Sequence, residues 1–270
     1  MRAARQNKNS DSPVCYVCGN PGGRYCRRVN EDYSVIKCSE CGLEYTDPIP
    51  AETTLKAFYA SYSDIRADKS IVKLNAQEHL KILKNRYGWT QESAMLDFGS
   101  GGGAFVELAG ENCYGVEYQS SANIRIKTIL NELPIRRWDF ITLWGVLEHL
   151  PHPKKVIDEL VSLLRNGGIM VLTTVDAEGV IPYYYKPPEH LSYWTRVAFC
   201  ELAQRCGLKI IDYEPYWMFQ LGDIYRQRLL SRTPVEYRES LSSGGIPPVV
   251  YVPTNEVRVI MKKLRRKNEF

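Results

Sequence analysis

The chain has 270 residues, 44% of them hydrophobic, with a formal net charge of +4 at pH 7. That length suits one large domain plus a small one. The weak charge offers no strong field for nucleic acid, and no apolar run approaches the ~20 residues that span a bilayer.

Met1 to Ser12 is polar and basic without an apolar stretch. It is expected to be disordered and not to act as a secretory signal. With eight cysteines and no such signal, reduced thiols and a cytoplasmic location are expected.

Residues 13–50 read as a zinc ribbon. Cys15-x-x-Cys18 and Cys38-x-x-Cys41 are separated by nineteen residues, a spacing that brings four thiolates around a tetrahedral zinc. Four cysteines leave no open coordination position, so the site is structural. Cys26 is a spare thiol by this reading.

Residues 51–90 read as a helical connector or lid. Leu55, Phe58, Tyr59 and Tyr62 recur at helical spacing, then Ile71, Leu74, His79, Leu80, Ile82 and Leu83, with Gly88 as the stop. His79 is expected to be structural.

Residues 91–270 form the large domain. The apolar run Ala94-Met95-Leu96 leads into Asp97-Phe98, then Gly99-Ser100-Gly101-Gly102-Gly103, then a short helix stopped by Gly110. Glycines at 99 and 101 can take positive φ and let a ligand approach the bare backbone. Glu117, twenty residues after Asp97, ends the next strand, where a carboxylate can accept two ribose hydroxyls. The pattern Gly99-x-Gly101-x-x-Ala104 also fits a dinucleotide site loosely, but Asp97 stands where dinucleotide folds carry an apolar residue.

Strands are predicted at 94–98, 113–117, 124–129, 138–144, 168–174 and 208–215, with one more within 249–262. Their alternation with helices predicts a parallel sheet, an α/β Rossmann-like architecture with helices on both faces. A helix over 153–164 begins at Pro153 and stops at Asn166-Gly167-Gly168. The helix after Glu117 shrinks to Gln119–Asn123. Gly222 to Leu230, with Arg226 and Arg228, predicts an amphipathic helix, and 231–248 reads as loop. The basic run Lys262 to Lys267 offers a peripheral contact to phosphates or an acidic membrane surface, or is a solvated end.

Several motifs together resemble the class I S-adenosylmethionine (SAM) dependent methyltransferases. They are the Asp97-x-Gly99-x-Gly101 turn, the strand-end Glu117, the strand into Leu147-Glu148-His149-Leu150-Pro151-His152-Pro153, and Leu163 to Thr174. The resemblance spans about residues 90 to 216. It implies SAM as cofactor. Asp97 and the backbone of Gly99 to Gly103 would hold the methionyl end and ribose, and Glu117 the ribose hydroxyls. The family's usual acid for the adenine amino group is not evident near Ile129, and Asn131 is the nearest polar substitute. Trp144 would stack on the cofactor or face the sulfonium, or else pack in the core.

Two Glu-His pairs compete for the acceptor side. Quinone-biosynthetic relatives add an upstream glutamate to the pair matching Glu148-His149 to hold a metal, and that position here is Gly145. Glu189-His190 lies in Tyr183-Tyr184-Tyr185-Lys186-Pro187-Pro188-Glu189-His190-Leu191-Ser192-Tyr193-Trp194. This segment is similar to one in zinc-ribbon sugar methyltransferases whose histidine accepts the proton. The resemblance implies His190 as general base, tuned by Glu189, with Tyr193 or Tyr185 nearby.

Cys38-x-x-Cys41-Gly42-Leu43-x-Tyr45-x-x-Pro48 resembles zinc ribbons at the front of bacterial methyltransferases that act largely on sugars, lipids and small metabolites. The expected activity is methyl transfer from SAM to a small-molecule acceptor such as a sugar, glycan or lipid-linked metabolite. Nucleic acid is not expected as substrate. The alternatives are a zinc-ribbon RNA methyltransferase and a non-catalytic SAM-binding interaction module.

Overall fold

The computed structural model describes residues 14–61, 68–118, 123–134, 137–179, 181, 185–242 and 244–265. The expected disorder of Met1–Ser12 and the last residues of the basic run lie outside them, as do Tyr62, Tyr183 and Tyr184 and, apart from Asn123, the shortened helix 119–123.

The chain opens with three strands, β1 (Gly23–Arg28), β2 (Ser34–Cys38) and β3 (Glu44–Asp47), paired as antiparallel neighbours. Two helices follow, α1 (Glu52–Ser61) and α2 (Lys69–Tyr87). The Asp68 carboxylate accepts the Ser70 N–H at 2.8 Å to start α2, and Gly88, at φ 73°, ends it.

The large domain then runs β4 (Met95–Phe98), α3 (Ala104–Ala109), β5 (Cys113–Val116), β6 (Ile126–Lys127), β7 (Trp138–Trp144), α4 (Pro153–Leu163) and β8 (Leu164–Val175). It continues with β9 (Ser192–Tyr193), α5 (Arg196–Arg205), β10 (Leu208–Leu221), α6 (Gly222–Arg232), α7 (Val235–Ser242) and β11 (Val249–Lys263). Seven strands form one sheet in the order β10-β11-β8-β7-β4-β5-β6. β8, β7, β4, β5 and β6 are mutually parallel, and β11 runs antiparallel to both of its neighbours. The order reverses at β4, so a crevice opens at the carboxyl ends of β4, β5 and β7.

Side chains alternate across this sheet, as the strand period of two requires. Leu96, Ile141, Leu143, Leu172, Val257 and Val259 face one core, while Met95, Phe140, Val171 and Ile260 face the other with Leu80 and Leu83 of α2 and Phe105 and Val106 of α3. Each such buried side chain contributes about 1.5–3 kcal/mol. The first core continues without a break into Val17, Ile36, Leu43 and Tyr45 of the N-terminal strands.

Four elements differ from the sequence expectations. α4 stops at Leu163, and Asn166-Gly167-Gly168 lies inside β8 rather than at a helix end. The pairing jumps from Trp138↔Leu164 to Phe140↔Ile169, so these residues bulge out of the ladder. β10 runs six residues past Pro215, because Met218 to Leu221 keep pairing with Val249 to Val252. β6 is only two residues long. The stretch read as loop over 231–248 contains α7.

The small sheet takes a fourth strand from far along the chain. β9 pairs antiparallel with β3 through Glu44↔Tyr193 and Tyr45↔Ser192, which ties the N-terminal strands to the large domain. No helix among the described residues is long and apolar enough to cross a membrane.

Candidate active site and cysteine cluster

The glycine turn sits at the carboxyl end of β4. Gly99, at φ 77°, presses against the segment after β7, where an added Cβ would meet Val146 Cγ2 at 2.4 Å. The Gly101 N–H donates to Glu117 Oε2 at 2.7 Å, and the Tyr118 N–H donates to Glu117 Oε1 at 2.8 Å. The Glu117 carboxylate is thereby aimed across the crevice beside the turn, with lone pairs left for ribose hydroxyls.

Asp97 is buried at the end of β4, where the Thr142 hydroxyl donates to its Oδ1 at 2.7 Å. Burial pushes its pKa up to about 7, against the opposing effect of that hydrogen bond. Gly103 begins α3, and its bare Cα faces Ile126.

Next to Glu117 lies a cavity of about 410 Å³. Phe98, Val116, Tyr118 and Ile129 supply apolar walls, and Asn131 and Glu159 supply polar ones. It suits a planar, mostly apolar group with polar edges, as adenine is. Asn131 lines it, and so does Glu159, which was not foreseen. It comes from α4, and no local motif marks it.

Trp144 ends β7 with one face covered. The His79 imidazole stacks on it with ring centroids 3.7 Å apart, and Phe105 meets it edge-on at 5.6 Å. That face is taken by packing, while the indole N–H is buried with no hydrogen-bond partner.

The two Glu-His pairs, forty-one residues apart in sequence, converge. The His149 and His190 ring centroids are 5.0 Å apart, nearly perpendicular. One ligand atom from each of Glu148, His149 and His190 fits within 4.8 Å of the others, a donor set of one carboxylate and two imidazoles. His149 Nδ1 lies 2.8 Å from the Glu189 carbonyl. A carbonyl only accepts, so that bond puts the proton on Nδ1 and leaves a lone pair on Nε2. The Tyr59 hydroxyl oxygen of α1 lies 3.1 Å from the same Nδ1 and shares its N–H, so the helical connector touches this cluster.

Burial disfavours charge throughout this cluster. The His190 pKa falls to about 3, first through burial and then through the nearby His149 and Lys186 charges. Burial also lowers His149, and it lifts Glu148, whose Oε2 accepts the Thr174 hydroxyl at 2.8 Å, to about 7. Glu256 of β11 is raised to about 8, again mainly by burial and then by Glu148. Sequence reasoning missed Glu256, since nothing in its local pattern distinguishes it from its neighbours.

Glu189 Oε1 lies 3.8 Å from His190 Nε2 and its Oε2 lies 3.7 Å from Lys186 Nζ, ion-pair separations beyond hydrogen-bond reach. Tyr193 is fully buried. Its hydroxyl accepts the Lys186 N–H at 2.8 Å and donates to the His190 carbonyl at 3.4 Å, so it shapes the loop from behind.

The four expected zinc ligands also meet. Cys15 and Cys41 Sγ are 3.5 Å apart, Cys18 and Cys38 Sγ are 3.4 Å apart, and all four sulfurs lie within 4.8 Å of one another. Zn–S bonds of about 2.3 Å in a tetrahedron would set the sulfurs roughly 3.8 Å apart, so the set fits. Cys26 is exposed and outside the cluster.

Comparison with known proteins agrees with this fold. The chain is 28% identical over 195 residues to the ubiquinone biosynthesis O-methyltransferase of Xylella fastidiosa, covering 57% of this chain and 75% of that protein. The fold matches the Burkholderia thailandensis 1,6-didemethyltoxoflavin-N1-methyltransferase, solved with its substrate and S-adenosylhomocysteine. The TM-score is 0.51 at 16% identity, over 88% of this chain and 99% of that one. A structure of the Haloferax volcanii Trm112 methyltransferase activator with its methyltransferase gives a TM-score of 0.53 at 12% identity, over 82% and 100%. A family model described as a methyltransferase domain matches residues 73–213, and the chain belongs to that family as a class I SAM-dependent methyltransferase.

Proposed function

We propose that the enzyme methylates a small-molecule acceptor, of the sugar, glycan or lipid-linked kind, at a hydroxyl. The observation that carries this reading is the convergence of His149, His190 and Glu148 at the edge where the glycine turn abuts Val146. The relatives named for O-methylation of a small molecule support it.

SAM supplies an electrophilic methyl group. Asp97, the Gly99–Gly103 backbone and Glu117 bind and orient its amino-acid and ribose parts, and Asn131 with Glu159 borders the adenine. Burial holds His190 neutral but also lowers its basicity. Its imidazole would take the acceptor hydroxyl's proton as the oxygen attacks the methyl carbon and the C–S bond breaks, with the Glu189 carboxylate, 3.8 Å away, supporting the charge that forms. Glu189 tunes that imidazole, and Tyr193 positions its backbone. Residues 13–50 form a structural zinc module held by Cys15, Cys18, Cys38 and Cys41. Residues 51–90 cover the site, and 91–270 form the catalytic domain.

The test is His190→Ala in a methyl-label transfer assay with cell extract. Transfer should be lost while S-adenosylhomocysteine still binds. Wild-type turnover in that variant would remove His190 as the base.

A second reading, RNA methylation, draws on one observation. β1 is exposed along its whole length and carries Arg24, Tyr25, Arg27 and Arg28, a basic edge with an aromatic ring. Digesting half the extract with nuclease separates the two readings. Label that survives and partitions with sugars, lipids or small metabolites supports the first, and label lost on digestion supports the second.

A further inference from the structure

The cysteine cluster and the loop that carries His190 are one hydrogen-bonded unit. Thr46, in β3, is fully buried. Its N–H donates to the Leu191 carbonyl at 2.9 Å, and its hydroxyl donates to the His190 carbonyl at 3.1 Å. Its own carbonyl accepts the Tyr16 hydroxyl. Two of its three polar groups thus hold consecutive carbonyls at His190 and Leu191.

Neighbouring contacts repeat the pattern. The Tyr185 hydroxyl donates to Glu44 Oε2 at 2.7 Å, and the Thr195 hydroxyl donates to the carbonyl of the zinc-type ligand Cys41 at 3.3 Å. On the opposite side, the Leu191 N–H donates to the Glu148 carbonyl at 2.6 Å and the Trp194 N–H to the Val175 carbonyl at 3.1 Å. Residues 190–195 are therefore strung between the cysteine module and the carboxyl edge of the main sheet.

The buried Nδ1 of the His190 ring lacks a hydrogen-bond partner, so no hydrogen bond at that atom fixes the ring. Where the ring points follows from its backbone and from the His149 and Tyr193 rings packed beside it. The backbone's position follows from β3, and β3 leaves the turn that Cys38 and Cys41 close. In that turn the Cys38 N–H donates to the Leu43 carbonyl at 2.8 Å and the Gly42 N–H to the Cys38 carbonyl at 3.1 Å.

We infer that the cysteine module is the positioning scaffold of the acceptor-side loop, that Thr46 is its positioning residue, and that metal loading of the module sets turnover. This rests on the reading of His190 as the base. A displacement of about 1 Å at a catalytic group can cost on the order of a hundredfold in rate. Losing one of two Thr46 tethers should cost about tenfold.

The experiment compares full-length Thr46→Val, which keeps shape but removes the hydroxyl, with Thr46→Ser, which restores it. Turnover, S-adenosylhomocysteine affinity and hydrogen exchange over 185–195 are measured in each. Thr46→Val should lower kcat about tenfold, leave S-adenosylhomocysteine affinity unchanged and speed exchange in 185–195 alone, and Thr46→Ser should restore all three. Stripping the metal from the wild-type protein and reloading zinc should raise and then restore exchange in the same segment. If stripping unfolds the chain, the Thr46 pair decides alone. Wild-type kcat and exchange in Thr46→Val overturn the inference, as does exchange that rises equally over the whole chain. Running His190→Ala beside them separates the two claims. Full turnover there, with fast local exchange in Thr46→Val, would end the base assignment and leave the scaffold standing.

Discussion

The imidazole of His79 lies on the indole of Trp144 with the planes 13° from parallel, and its Nε2 meets the Tyr216 hydroxyl at 2.8 Å. A helix of the connector is thereby locked to the end of β7 and to β10. Burial pushes the His79 pKa down to about 3, so the folded protein holds this ring neutral. In the unfolded chain it titrates near 6.5. Its contribution to stability is present above about pH 6.5 and is lost as pH falls toward 3. Urea titrations of the wild type and His79→Phe at neutral and at acid pH check this. The wild type should lose more stability on acidification than the variant does.

The two outer tests of the glycine turn should differ sharply. At Gly99 a Cβ would strike Val146 at 2.4 Å and sit at φ 77°, whereas at Gly101, φ 51°, nothing lies within 4 Å. Gly99→Ala should cost about 2 kcal/mol or more in urea unfolding and abolish S-adenosylhomocysteine binding. Gly101→Ala should cost about 1 kcal/mol, from backbone strain alone. Equal losses in the two variants would mean that the Val146 contact does not matter.

Glu214 bridges two arginines. Its Oε1 lies 2.7 Å from Arg258 Nη2 and 2.8 Å from Arg86 Nη1, and the Arg258 side chain is only 8% exposed. Burial pushes the Glu214 pKa up, but the two guanidinium groups together outweigh it and hold the carboxyl below its usual value. Glu214→Gln leaves Arg258 buried and short of a counter-charge, which should cost about 3 kcal/mol. Arg86→Gln removes only the exposed partner and should cost less than about 1 kcal/mol. Chemical denaturation of both variants gives the comparison.

Metal analysis tests the cysteine module directly. Cys38→Ser should lose bound zinc, because three sulfurs no longer close the tetrahedron. Cys26→Ser and Cys200→Ser should keep it, since both of those thiols are exposed and outside the cluster. Zinc retained in Cys38→Ser would mean that the four thiols are not the ligand set.

The main strands, the Asp97 turn and the paired cysteines were legible because each is a local pattern. Alternation of apolar residues, glycines in a tight turn and the Cys-x-x-Cys spacing are properties of a dozen residues or fewer. The early start of β8 and its bulge were misread for the same reason. Asn166-Gly167-Gly168 looks like a helix stop from its neighbours alone, whereas pairing of Phe140 with Ile169 absorbs it into a strand.

The sequence by itself determined the sheet, the glycine cradle and the cysteine set, whose chemistry is carried by residues close along the chain. Only the tertiary structure decided that His149 and His190 share one cluster, that Glu159 and Glu256 border the sites, and that Thr46 holds a peptide 144 residues away. Those contacts depend on how the strands are ordered and on β9 crossing back to β3, and no local periodicity encodes a pairing at that separation.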